Sequence, residues 1–234
     1  MEDDEFPYHD KYDWSSKVFL GEGAFGRVFK CQSKEDGQFY AIKQMKMEHF
    51  NQDPQLMNSL KGEISITTEC NSEHTVNMLD HRMGNRYTYI VLELCDSDLR
   101  KELASHKYTE PDCVHIFEDI MIGMRVLIDK GYIHRDIKPA NVLVKNKKYK
   151  VADFGFATAA DISAKKKIKD VCGTPIYMAP QLLTNQPYTA KSDVWSLGLM
   201  LYEMIFGYPP WPCRSLEEYL HGIFHRPLTF PYDA

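Results

Sequence analysis

The stretch GEGAFGRVFKCQSKEDGQFYAIK, Gly21 to Lys43, decides the fold. Its three glycines, spaced G-x-G-x-x-G, form a loop whose backbone can approach phosphate oxygens closely. Two unrelated arrangements use this spacing, and an ordinary Gly-rich turn is a third reading. In one arrangement the glycines join a strand to a helix whose N-terminus holds a dinucleotide pyrophosphate. In the other they cap a hairpin over a nucleotide. The residues after Gly26 separate the two. RVFKCQ is β-branched and aromatic, KEDG (Lys34 to Gly37) is a turn, and QFYAIKQM is another strand. No helix opens after Gly26, so the dinucleotide arrangement fails and the hairpin stands.

Composition bounds the rest. The chain has 234 residues, of which 44% are hydrophobic and 26% charged, enough for one large domain or two lobes with real cores. A net charge of -5 supplies no global basic field, so nucleic acid is not an expected partner. The six cysteines contain no C-x-x-C pair, and the N-terminal MEDDEFPYHD is acidic where a secretory signal would be basic and then apolar. A reducing, cytoplasmic compartment is expected, with each cysteine a small buried hydrophobe. No apolar run approaches the roughly 20 residues that span a bilayer, so no membrane span is expected.

The chain changes character midway. After an acidic extension over residues 1–13, residues 14–95 carry the β-rich runs KVFL, RVFKCQ, QFYAIKQM and RYTYIVLEL. One helix interrupts them in PQLMNSLKGEISITTEC, where Leu56, Leu60, Ile64 and Thr67 recur at helical spacing. From residue 96 to 234 helices dominate. PDCVHIFEDIMIGMRVLIDKG opens on Pro and stops at Gly, and KSDVWSLGLMLYEMIFG is apolar on nearly all sides, which predicts a buried helix. The runs KNKKYK and AKKKIK read as solvated loop charge.

AIK, ending at Lys43, is followed downstream by HRDIKPAN (His134 to Asn141), DFG (Asp153 to Gly155), GTPIYMAP (Gly173 to Pro180) and DVWSLG (Asp193 to Gly198). With these motifs, in this order, the chain resembles a eukaryotic protein kinase of the Ser/Thr type. IHRDIKPANVL and GTPIYMAPQLL resemble the unc-51-like group and, nearly as closely, calcium/calmodulin-dependent kinases. The resemblance implies an α+β, bilobal fold with a small β-rich N-lobe containing one main helix and a larger, mainly helical C-lobe. It also implies ATP and Mg²⁺ as cofactors, and protein substrates bearing Ser or Thr as acceptors of the γ-phosphoryl group.

Residue roles follow from the same resemblance. Gly21, Glu22, Gly23, Ala24, Phe25, Gly26 and Arg27 form the phosphate-covering loop. Leu20, Val28, Ala41 and Leu143 clamp the adenine, with Leu92 as gatekeeper and the backbone from Glu93 to Cys95 as hinge. Lys43 holds the α- and β-phosphates and is steered by Glu63. Asp136 accepts the substrate hydroxyl's proton, Lys138 steadies the transferring phosphate, and Asn141 and Asp153 are hard oxygen ligands suited to Mg²⁺. His134 and Phe154 are expected in the core, and Asp193 behind the catalytic loop.

Four departures from the family pattern bear on activity. APE is here APQ, so Gln181 lacks the carboxylate that pairs with an Arg late in the family's C-lobe, and that Arg is missing as well. Thr67 stands where the family carries an aliphatic residue. The sequence stops at FPYDA where the family continues, so the C-lobe is expected to be incomplete and covered by a protein partner. The usual phosphorylated residue of the activation segment is replaced by Asp170, a fixed charge expected to meet Arg135 against competition from Lys165, Lys166, Lys167 and Lys169. Two functions are therefore open: an active Ser/Thr kinase, or an ATP-binding, pseudokinase-like scaffold.

Overall fold

The glycine stretch folds as a hairpin: strand β1 (Tyr12–Gly23) pairs antiparallel with β2 (Gly26–Ser33), and Gly23 stands opposite Gly26. The computed structural model describes residues 6–23, 26–159, 172–186 and 189–231. The chain divides into two units, one of residues 1–72 and 76–96, the other of residues 73–75 and 97–234.

In the first unit, β1 and β2 continue into β3 (Phe39–Lys46), then helices α1 (Met47–Gln52) and α2 (Pro54–Glu69), then β4 (Met78–Met83) and β5 (Tyr87–Glu93). The five strands order as β1-β2-β3-β5-β4. KEDG makes the turn into β3, with Gly37 at φ +70° and the Ser33 hydroxyl accepting from the amides of Glu35 and Asp36. Pro54 starts α2, and the Asp53 carboxylate caps it by accepting from the Gln55 and Leu56 amides. Neither α1 nor β4 was expected. β4 is mostly exposed, so its sequence lacks the apolar alternation that marks a half-buried strand.

Alternate residues of a strand face opposite sides, and both sides of this sheet are covered. Met45 and Ile90 pack with Leu60 and Ile64 of α2. Ile42, Tyr89 and Val91 pack with Phe6, Tyr8 and Tyr12, so the acidic N-terminal stretch contains buried aromatic residues.

The second unit opens with β6 (Ser97–Asp98) and α3 (Leu99–Ser105), capped by the Asp98 carboxylate on the Lys101 amide. Next come α4 (Glu110–Asp129), β7 (Tyr132–Ile133), β8 (Val142–Lys145), β9 (Lys148–Val151) and β10 (Thr158–Ala159), then α5 (Pro180–Leu183), α6 (Lys191–Phe206) and α7 (Leu216–His225). The start of α4 is a full capping box between Thr109 and Asp112. Two small sheets order as β6-β8-β9 and β10-β7.

Three expectations change here. KNKKYK is the β8–β9 hairpin, not a loop, with Asn146 and Lys147 at positive φ in its turn, and Lys150 is buried with its ammonium donating to the Thr75 carbonyl at 3.2 Å. AKKKIK lies outside the described residues. The helix expected to be buried, α6, is buried along Leu197, Met200 and Met204, but Val194 is 65% exposed. Its other side borders a groove of about 1390 Å³ with Trp195, Tyr202, Phe206 and Phe230 on its walls. Cys31, Cys70 and Cys113 are buried as expected, whereas Cys95, Cys172 and Cys213 are half-buried; none of the six is in a disulfide. No helix among the described residues is long and apolar enough to cross a membrane.

Gly123 sets how closely α4 meets the chain at His74. A Cβ there would stand 2.2 Å from the His74 carbonyl oxygen and 2.9 Å from a Val151 methyl. That carbonyl also accepts from the Val151 amide at 2.9 Å, so it has no room to retreat. Alanine gains about 1 kcal/mol over glycine in a helix, whereas overpacking costs about 1–3 kcal/mol. Against backbone the upper end applies, so Gly123→Ala should destabilise the second unit by roughly 1–2 kcal/mol. Gly198 in α6 has nothing within 4 Å of its missing Cβ, and Gly198→Ala should be neutral or stabilising. Thermal unfolding of the two variants checks the opposite signs.

Candidate active site

In the first unit the glycine hairpin and Lys43 are brought together by strand pairing. Lys43 of β3 stands opposite Val28 of β2 and Ile90 of β5, and Ala41 stands opposite Leu92. Residues directly opposite in an antiparallel pair share a face. Val28, Lys43, Ala41 and Leu92 therefore form one continuous patch on the α2 side of the sheet. Gly26 is held against β3 so tightly that a Cβ would lie 2.4 Å from the Gln44 carbonyl oxygen. Glu22 and Arg27 form an exposed ion pair at 3.1 Å across the hairpin, and Leu20 is 46% exposed. Ala24 and Phe25 lie outside the described residues.

Glu63 meets Lys43 from α2: the ammonium donates to its Oε1 at 2.6 Å, both side chains being largely buried. One turn on, the buried Thr67 hydroxyl donates to the Glu63 carbonyl oxygen at 2.6 Å. The unusual threonine thus satisfies its polar atom inside its own helix, the local bond that Ser and Thr make when they sit mid-helix. At the end of β5, Glu93 exchanges bonds with Asn77: its amide donates to the Asn77 carbonyl at 3.0 Å and its carboxylate accepts from the Asn77 amide at 2.8 Å. Cys95 beyond it is half-buried.

In the second unit the site is built around the Asp136 carboxylate, 4% exposed. Oδ2 accepts from the Lys138 ammonium at 2.7 Å and from the Asn141 amide at 3.0 Å. Oδ1 accepts from the Thr174 hydroxyl at 2.8 Å, and that hydroxyl oxygen accepts from Lys138 at 2.7 Å. Lys138, Thr174 and Asp136 thereby close a ring of hydrogen bonds. The Asn141 amide also donates to the Asp136 carbonyl at 2.8 Å, which commits its nitrogen and leaves Oδ1 as the atom that could meet a cation. Asp153, at φ +65°, carries an exposed carboxylate. An amide oxygen and a carboxylate are hard donors that fit Mg²⁺, an ion that keeps several waters and takes few protein ligands. Leu143 lies on β8, opposite Asp98 and Lys150.

The loop is held from behind by Asp193 of α6, whose carboxylate accepts from the amides of His134 at 2.8 Å and Arg135 at 2.9 Å. Burial pushes this carboxyl's pKa up, and the His134 ring, the two amides and the Arg135 guanidinium pull it back. His134 is fully buried, 3.0 Å from the Ala152 carbonyl and edge-on to the buried Phe154 ring. Arg135, at φ +70°, donates from Nε to the Phe156 carbonyl. Its expected partner Asp170 and the competing lysines lie outside the described residues.

Thr174 is the residue that sequence reading did not place at the site. The available signal was its position directly after Gly173 in GTPIYMAP, but only folding returns that hydroxyl to a carboxylate 38 residues earlier. Downstream, the segment around Gln181 is fastened without the missing ion pair. The Tyr177 hydroxyl donates to Glu203 at 2.6 Å, and the Ser196 hydroxyl donates to the Tyr177 carbonyl at 2.8 Å.

Residues 14–230 match the family model described as Protein kinase domain. The serine/threonine-protein kinase ATG1c of Arabidopsis thaliana is 33% identical over 222 residues, covering 92% of this chain and 30% of that protein. Calcium/calmodulin-dependent protein kinase type 1 of Caenorhabditis elegans is 33% identical over 208 residues, covering 86% and 58%. The serine/threonine-protein kinase ULK1 of Homo sapiens is 32% identical over 221 residues, covering 89% and 21%. The chain thus spans between 21% and 58% of the length of these relatives. The family match covers most of the chain, and the chain belongs to the protein kinase family.

Proposed function

We propose that this chain is an active protein serine/threonine kinase that moves the γ-phosphoryl group of ATP to a Ser or Thr hydroxyl of a protein substrate. The observation that carries this reading is the Asp136 carboxylate, buried yet bonded by Lys138, Thr174 and Asn141. Phosphoryl transfer asks little covalent work of a protein; it asks for a positioned acceptor and for cationic groups where negative charge spreads. Asp136 takes the hydroxyl proton as the acceptor oxygen bonds to the γ-phosphorus and the bond to the β–γ bridging oxygen breaks, releasing ADP. Lys138 lies 2.7 Å from that carboxylate and supplies positive charge to the transferring group.

Lys43, fixed by Glu63, binds the α- and β-phosphates, and Gly21 to Arg27 lie over them. Leu20, Val28, Ala41 and Leu92 of the first unit flank the adenine. Asn141 and Asp153 would hold Mg²⁺, which when bound neutralises phosphate charge. The scaffold alternative rested on Gln181, Thr67 and the expected incompleteness of the C-lobe, and the fold bears on the first two. Thr67 leaves the Lys43–Glu63 ion pair intact at 2.6 Å, and Tyr177 and Ser196 fasten the segment beside Gln181. We place the chain in the cytoplasm, since none of its cysteines is in a disulfide. A protein partner would meet the apolar groove beside α6.

Incubation with ATP labelled at the γ-phosphate, Mg²⁺ and a protein substrate tests the reading, and a parent chain that transfers no label overturns it. Lys43→Met should lower kcat/KM about 10²-fold or more while keeping a cooperative melt, because it removes charge from the phosphates. Asp136→Asn should bind ATP normally yet turn over about 10²–10⁴-fold more slowly, the range of a lost general base. Thr174→Val should cost roughly tenfold in kcat, since the ring loses its bridge while base and ammonium remain. Unchanged turnover in Asp136→Asn would reject its assignment.

A further inference from the structure

Residues before the family match are packed against the back of the sheet that carries Lys43. Phe6 is 3% exposed and Tyr8 5%. The Phe6 ring stacks on Trp14 with centroids 4.1 Å apart and planes at 10°, and meets Tyr89 of β5 edge-on at 5.2 Å. The chain then turns, with the Lys11 and Tyr12 amides donating to the Tyr8 carbonyl at 3.0 and 2.9 Å.

Both ends of the sheet hold this segment. On the side of the β2–β3 turn, the Lys34 ammonium donates to the His9 carbonyl at 2.7 Å and the Lys34 amide donates to the Lys11 carbonyl at 2.8 Å. On the far edge strand, β4, Asp80 pairs with Lys11 at 3.7 Å. Between these anchors lie β3 and β5, whose Ile42 and Val91 are fully buried beneath the aromatic layer. The same face carries a bond from the Gln44 side chain to the Tyr89 hydroxyl at 2.9 Å. Ile42 and Gln44 flank Lys43 in sequence, so whatever fixes these two residues fixes the backbone from which Lys43 reaches the opposite face.

We infer that Phe6–Lys11 is a positioning strap that locks β3 to β5 from behind and so sets the place of Lys43 for ATP. The inference rests on the kinase reading given above. The strap packs on the face of the sheet opposite Lys43, so its release should weaken ATP without changing the affinity for the acceptor. It adds a means of control: an event that lifts residues 6–11 off the sheet would lower ATP affinity from the side away from the phosphates. The match to the family begins at residue 14, and the strap lies before it.

Phe6→Ala removes the stacked ring, Phe6→Tyr keeps it, and Lys34→Met cuts only the exposed anchor to His9. Hydrogen exchange of the β3 amides, measured without nucleotide, is set beside the Kd for ATP with Mg²⁺ and the KM for a peptide substrate. Phe6→Ala should speed exchange in β3 and raise the Kd for ATP on the order of fivefold, leave the peptide KM unchanged, and be rescued by Phe6→Tyr. Lys34→Met should move both readouts in the same direction by less. Faster exchange within residues 6–11 but unchanged β3 exchange and Kd overturns the inference, as does an equal loss for ATP and peptide. If Phe6→Ala does not fold, Lys34→Met decides by the same two outcomes. A parent that binds no ATP overturns the kinase reading, and the exchange comparison still decides whether the strap holds β3.

Discussion

A carboxylate taken out of water must have its lone pairs satisfied, and in the second unit two such groups stand back to back along one loop. Asp193 accepts the amides of His134 and Arg135, and this pair of bonds fixes the backbone through a residue at positive φ. The next residue, Asp136, is then presented with its own carboxylate buried, and it gathers Lys138, Asn141 and Thr174 around it. The loop's shape is therefore a consequence of charge burial. Removing Asp193 would take away the carboxylate that receives the buried His134 amide and the partly buried Arg135 amide, and would release the loop that carries the proposed base.

The first unit solves a different problem. Its sheet must hold one ammonium at a defined point while presenting an open, glycine-lined hairpin beside it. The Lys43–Glu63 pair fixes the ammonium from the α2 side. An ion pair with both partners largely buried contributes uncertain net stability but strong geometry, since desolvation offsets much of the Coulombic gain. Packing supplies the stability that such a pair does not guarantee. Met45 and Ile90 are buried against α2, and Ile42 and Val91 against the aromatic layer of Phe6, Tyr8 and Tyr12. The strand is thus held between two apolar layers.

The sequence alone carried the hairpin, the α2 and α4 starts and the candidate residues of the site, because each is a local signal. A turn needs KEDG chemistry, a helix start needs Pro and a capping carboxylate, and phosphoryl transfer needs Lys, Asp and Asn in a recognisable order. Three things were legible only in the folded chain. Thr174 joins Asp136 across 38 positions, Lys150 is buried because the Thr75 carbonyl arrives to receive its ammonium, and the acidic N-terminal stretch packs because a sheet formed far downstream offers it an apolar face. Charge pattern predicts solvation only while no distant partner is present. Long-range contacts supply that partner, and they depend on strand order and helix packing, which no window of neighbouring residues encodes.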